Sequence, residues 1–71
     1  MVKMEINKVV GNRIRQIRIE KKMSQEELAT KAKTTRPHIS KIEGGILSLQ
    51  IDTLQRVADA LGVQIKELIE Q

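Results

Sequence analysis

Ser24-Gln25-Glu26-Glu27-Leu28-Ala29-Thr30-Lys31-Ala32-Lys33-Thr34-Thr35-Arg36-Pro37-His38-Ile39-Ser40-Lys41-Ile42-Glu43-Gly44-Gly45 reads as two short helices joined by a tight turn. Ser24 to Glu27 has the S-x-x-E spacing of a capping box. The Ser24 hydroxyl accepts from the Glu27 backbone N–H, and the Glu27 carboxylate returns to the N–H of Ser24. Leu28, Ala29 and Ala32 then line the buried side of a helix of about two turns. Alanine at two of those positions lets another helix approach closely. Thr34-Thr35 interrupts the pattern, and Thr35 supplies a second cap. Pro37 suits a first turn, where its missing N–H would be unpaired in any residue. Proline also pushes its predecessor out of the α region, which makes Arg36 a candidate for the cap residue itself. Ile39 and Ile42 face inward, and Gly44-Gly45 ends the second helix in a left-handed turn.

Working outward, a longer helix is expected upstream, from about Asn7 to Lys21, with Ile6, Val10, Ile14 and Ile17 on one buried stripe. Gly11 weakens it by roughly 1 kcal/mol relative to alanine, so its first turn is expected to fray. Arg13, Arg15 and Arg18 fan across the flank and back of that helix. Downstream, Ile46 to Ile51 is an apolar connection. A fourth helix carries Leu54, Val57, Ala58 and Leu61 on one face and stops at Gly62. A short fifth carries Ile65, Leu68 and Ile69. No alternation of strand length appears anywhere. The expectation is an all-α, five-helix single domain over residues 1–71, with a core from about 10 to 69 and a flexible N-terminal arm over 1–6.

Composition narrows the function. The 71 residues include 24 Val, Ile, Leu and Met but no Phe, Trp, Tyr or Cys, and one His. Base-stacking recognition of single strands and RNA needs aromatic platforms, and none exist. No disulfide or thiolate metal site can form. No run approaches the roughly 18 residues of a membrane span, and no signal peptide is evident at the N-terminus, so a cytoplasmic location is expected. The net charge of +4 is uneven. Residues 1–50 carry 11 basic and five acidic side chains, residues 51–71 two and four. That asymmetry suits a polyanion-binding front and an acidic back, though charge alone fits a solvated surface equally well.

Two short helices about four residues apart, the second capped by Thr and carrying Arg, His, Ser and Lys, describe a helix-turn-helix, whose second helix fits the major groove of DNA. Ile14-Arg15-Gln16-Ile17-Arg18, Ser24-Gln25-Glu26-Glu27-Leu28-Ala29, Ile39-Ser40-Lys41-Ile42-Glu43-Gly44-Gly45, Ile51-Asp52-Thr53-Leu54 and Ala60-Leu61-Gly62-Val63 follow in order. Together, from about Val10 to Ile69, they resemble the lambda-repressor-like (Xre, Cro/cI-type) helix-turn-helix family.

The resemblance implies a sequence-specific regulator of transcription, expected to be a repressor acting as a homodimer on a two-fold-symmetric operator in double-stranded DNA. Phage-type repressors, restriction–modification controllers and autoregulating antitoxins, which have a toxin as partner, are compact members of this kind. It places Arg36, Pro37 and Lys41 at positions that face base edges, Gln25 on a phosphate, and Arg18 with Glu43 in a structural salt bridge. The guanidinium of Arg36 matches guanine O6 and N7, and the ring of Pro37 can touch a thymine methyl. Thr35, Ser40, His38 and Arg15 are further candidates for phosphate contact, with solvated or capping roles as the plain alternatives.

The sequence departs from the family pattern at Lys33, where glycine is usual, at Thr34, where a small apolar residue is usual, and at Leu49, where proline is common. Ile46, Leu47 and Leu49 either fold back on the core or join Ile65, Leu68 and Ile69 in a dimer interface. The alternative function is a helix-turn-helix module that docks on proteins, which would favour an acidic or apolar third helix. No small-molecule substrate, cofactor or metal is expected. An enzyme is not expected either, because the carboxylates lie singly along helix surfaces with no nucleophile or acid–base pair to assemble.

Overall fold

The computed structural model describes residues 3–46 and 49–69, and all their regular structure is helical. Five helices follow one another: α1 (Lys3–Glu20), α2 (Gln25–Lys31), α3 (Arg36–Glu43), α4 (Ile51–Leu61) and α5 (Ile65–Ile69). The long α1 packs on α3 and α5, α2 packs on α3 and α4, and α4 closes against α5. The centre is aliphatic: Val10, Ile14, Ile17, Leu28, Ile39, Ile42, Leu54, Val57, Leu61 and Leu68, with Ala29, Ala32 and Ala58 buried among them.

Two expectations about α1 change. It begins at Lys3, so residues 3–6 of the expected arm are helical, and residues 1–2 of it lie outside the described residues. Nothing between Lys3 and Val10 is a glycine or proline that would stop it. Ile6 is 49% exposed, one turn beyond the buried run of Val10, Ile14 and Ile17. Gly11, read as a weak point, is a packing necessity. A Cβ at this position would strike the backbone carbonyl oxygen of Ile42 and come within 2.9 Å of that of Glu43. Alanine would therefore push α1 off the end of α3.

The helix ends share one device. After α1, α2, α3 and α4, the backbone N–H groups of Met23, Thr34, Ile46 and Val63 each return to the carbonyl five residues back, at 3.0, 2.9, 3.1 and 3.0 Å. Those of Lys22, Lys33, Gly45 and Gly62 reach back three residues. This pair of bonds is the Schellman closure, which needs a left-handed residue just past the helix. Gly45 (φ 72°) and Gly62 (φ 74°) fill that position after α3 and α4; Lys22 (φ 56°) and Lys33 (φ 59°) fill it after α1 and α2. At Gly45 the demand is double, because a Cβ would also lie 2.8 Å from the Cα of Lys8.

Two arginines tie the back of the molecule together. Arg56 Nε on α4 donates to the carbonyl of Ala32 at the end of α2 (3.1 Å), and Arg13 Nε on α1 donates to the carbonyl of Glu67 on α5 (3.1 Å). A cation at a helix C-terminus also suits the unpaired carbonyls there. Arg13, on the flank of α1, is thus a brace between helices.

Candidate nucleic-acid interface

Both helices of the motif start as their local sequence dictates. Ser24, with extended backbone, caps α2: its Oγ accepts from Glu27 N–H at 2.9 Å and Glu27 Oε1 accepts from Ser24 N–H at 3.0 Å. These bonds favour the ionised Glu27 carboxyl and hold its pKa below the ordinary glutamate range, the backbone bond from Ser24 first. Thr35 caps α3, its Oγ1 accepting from His38 N–H at 3.3 Å. Arg36 is therefore the first helical residue and not the cap. Pro37 sits second, where no intrahelical donor is needed.

At 100° per residue, α3 turns Ile39, Ile42 and Glu43 inward and leaves one outer face. Pro37 and Lys41 are one turn apart at its centre, with Arg36 and Ser40 along one edge; all four are exposed. His38 lies on the other edge, half-buried. The three base-contact candidates thus project from one short helix, beyond the cap residue Thr35, which is also exposed.

Beneath that face lies a polar junction. Arg18 on α1 meets Glu43 on α3 through two bonds, Nε to Oε2 at 2.6 Å and Nη2 to Oε1 at 3.1 Å. The side chains are only 12% and 4% exposed. Arg18 Nη1 also donates to the carbonyl of Met23, at 2.8 Å. Gln25 Nε2 on α2 donates to Glu43 Oε1 at 3.0 Å, a link that sequence reading did not foresee. One carboxylate therefore joins three helices. Glu43 needs these donors, since a buried carboxylate without them would be very costly. Among the described residues, no buried side-chain polar atom lacks a hydrogen-bond partner.

Arg15, Arg18, Gln25, Ser40, Glu43 and Gly44 line a polar recess of about 300 Å³ over this junction. It gathers three of the expected phosphate contacts, Arg15, Gln25 and Ser40, from three different helices. Gln25 has a second N–H on Nε2 beyond the one given to Glu43, so it can serve both the junction and an oxygen in the recess. The spacing of Ser24 and Glu27 announced the cap, but only the tertiary approach of α2 to α3 reveals what orients Gln25.

The expected dimer residues divide. Leu68 is fully buried in the core, so it cannot belong to an interface. It stands on the single inward stripe of a five-residue helix, and the core takes it. Ile65 and Leu49 are partly buried against that same core. Ile46 (72% exposed) and Ile69 (48%) remain outside, and Leu47 lies outside the described residues. Ile51, not anticipated, is 73% exposed at the start of α4. Its place on the solvent side follows from Leu54, Val57, Ala58 and Leu61 taking the buried face.

Among the described residues, no helix is long and apolar enough to cross a membrane, and no group of three His, Cys, Asp or Glu could hold a metal ion.

Comparison with known proteins gives the same picture. A helix-turn-helix family model, HTH_3, matches residues 14–68. The control protein C.BamHI of Bacillus amyloliquefaciens is 41% identical over 66 residues, which cover 92% of this chain and 82% of that protein. The immunity repressor protein of Bacillus phage phi105 is 40% identical over 60 residues, covering 84% of this chain but 42% of the repressor. Among solved structures, the restriction-modification controller protein C.AhdI from Aeromonas hydrophila superposes with a TM-score of 0.88 at 28% identity, covering 92% of this chain and 94% of that one. The family match over most of the chain, with a relative 41% identical across 92% of it, establishes that the chain belongs to the HTH_3 helix-turn-helix family of DNA-binding transcriptional regulators.

Proposed function

We propose that this regulator acts in the cytoplasm as a homodimeric, sequence-specific repressor on a two-fold-symmetric operator, of the controller or phage-repressor kind. The observation that carries it is the exposed row Arg36, Pro37 and Lys41 on α3, the helix whose Ser40 lines a polar recess together with Arg15 and Gln25. With α3 in the major groove, Arg36 reads guanine through its bidentate fork, Pro37 meets a thymine methyl and Lys41 reaches a base edge or its phosphate. Gln25, Ser40, Arg15, Thr35 and His38 hold the backbone and set the register of the helix. The exposed Ile46 and Ile51 form the seam between two copies, with Ile69 at its margin. The basic third helix, with Arg36, His38 and Lys41 on its surface, disfavours a module that docks only on proteins.

Selection from a randomised duplex library at about 150 mM salt tests this, with Arg36→Ala and Gln25→Ala run beside the wild type. The expected product is a symmetric site with half-site centres about one helical turn apart. Arg36→Ala relaxes preference at one position per half-site, by about 1–3 kcal/mol of discrimination. Gln25→Ala weakens every duplex alike. Unchanged base preference in Arg36→Ala would refute this docking of α3.

A further inference from the structure

The turn between α2 and α3 contains one side-chain bond that neither the caps nor the core requires. Thr34 Oγ1 lies 2.6 Å from His38 Nδ1 in a partly buried setting. The cap of α3 is the next residue, Thr35, which accepts from the backbone N–H of His38. His38 is therefore held at two points, its main chain by Thr35 and its ring by Thr34. The backbone at Thr34 is set in turn by the bond from its N–H to the Ala29 carbonyl, part of the closure around Lys33. The departure from a small apolar residue at position 34 thus acquires a partner.

We infer that Thr34 is a positioning residue for DNA binding: its hydroxyl donates to Nδ1, holds the neutral imidazole in the Nε2–H tautomer, and presents that N–H to a backbone phosphate at the edge of α3. This role rests on the DNA-binding reading above. Two physical points select the direction of the bond. The first turn of α3 offers outward-pointing N–H groups and a partial positive charge, beside which a lone pair on Nδ1 is favoured over another N–H. A phosphate oxygen only accepts, so the ring nitrogen that meets it must carry the proton. Fixing the ring before binding also removes rotamer entropy that association would otherwise cost.

His38 is the one histidine in the chain, so its ring nitrogens can be followed by ¹⁵N NMR without ambiguity. The wild type and Thr34→Ser are expected to show the Nε2–H tautomer, and Thr34→Val, similar in volume but without the hydroxyl, a mixture of the two. On the selected operator duplex, Thr34→Val should weaken binding about three- to tenfold, and Thr34→Ser should restore it. In a His38→Ala background, Thr34→Val should have no further effect. A predominant Nδ1–H tautomer, a tautomer ratio indifferent to Thr34→Val, or an equal loss in the His38→Ala background would overturn the role. A wild type that binds no duplex would overturn the DNA-binding reading and this role with it, while the spectrum judges the hydrogen bond separately.

Discussion

Around α2 and α3 the chain relies on a partly buried arginine, a carboxylate shared by three helices and a glycine pressed against two carbonyls. Around α4 and α5 it relies mainly on Leu54, Val57, Ala58, Leu61 and Leu68, with one left-handed glycine between the helices and the single arginine-to-carbonyl bonds of Arg56 and Arg13 at their edges. Aliphatic packing is nondirectional and tolerates repacking if volume is kept. An ion pair with a hydrogen-bonded amide has one good geometry. The front must hold α3 at a fixed angle to present Arg36, Pro37 and Lys41 together, and the Arg18–Glu43–Gln25 junction supplies that constraint. The back only has to stay folded and leave Ile46 and Ile51 outside.

The most forceful way to break this contrast is Arg18→Met. It leaves the Glu43 carboxylate, 4% exposed, with only the Gln25 amide. Breaking a buried pair from one side costs about 3–5 kcal/mol, and the lower part of that range is expected for a pair whose arginine is 12% exposed. In a domain this small that is most of the folding free energy, so urea unfolding should begin near zero denaturant. Adding Glu43→Leu should recover most of the stability yet leave operator binding weakened, since Gln25 loses its anchor. Full recovery of binding in the double variant would mean the junction serves stability alone.

Gly11→Ala comes next, at about 2–3 kcal/mol, because the new Cβ meets rigid backbone and not a side chain that can swing away. The matched probe of the back is Leu54→Met, expected to cost less than about 1.5 kcal/mol and to leave operator binding intact. Thermal unfolding of both gives the contrast directly. If Leu54→Met proved the worse of the two, the back would be the specifically packed half.

A smaller effect distinguishes a cap that titrates from one that does not. The folded pKa of Glu27 is depressed by the bonds to Ser24, so its stabilising contribution is present above the ordinary glutamate value, about 4.3. It is lost as pH falls through the lowered folded value. Thr35, which caps α3, has no such carboxylate partner, because the third position after it, where a capping box carries Glu or Gln, is His38. Acid titration of stability should therefore be shallower in Glu27→Gln than in the wild type as pH falls below about 4.3. Identical profiles would show that the cap holds without the charge.

What could be read from the chain alone was local. Ser24 with Glu27, Thr35 before Pro37, and Gly44-Gly45 are patterns closed within a few residues, and each formed as spaced. The pair Arg18 and Glu43 came from family resemblance, not from any short-range rule, for they lie 25 positions apart. Gly11 was misread because helix propensity is a single-residue quantity, whereas its value here lies in the carbonyls of Ile42 and Glu43 across the interface. Ile6 and Leu68 changed places for a similar reason: periodicity assigns a face but not how far along that face the neighbours extend. The bonds of Arg13, Gln25 and Arg56 to other helices carry no sequence mark at all.

The smallest predicted change is a gain. Lys22 and Lys33 adopt the same left-handed closure that Gly45 and Gly62 adopt after α3 and α4. A side chain there costs roughly 1–2 kcal/mol, against about 0.5–1 kcal/mol for the extra freedom glycine brings to the unfolded chain. Lys33→Gly should therefore raise stability by a few tenths to about 1 kcal/mol, a rise of several degrees at most in Tm. At the turn directly before α3, the helix proposed to enter the major groove, Lys33 is exposed. If it meets a phosphate, the same substitution lowers operator affinity and reduces the salt slope by about one unit. A more stable protein that binds less well would show that the front half accepts strain where charge is useful. A more stable protein with unchanged affinity and salt slope would assign the strain to neither binding nor folding, and the lysine closure would then mark no functional difference between the two halves.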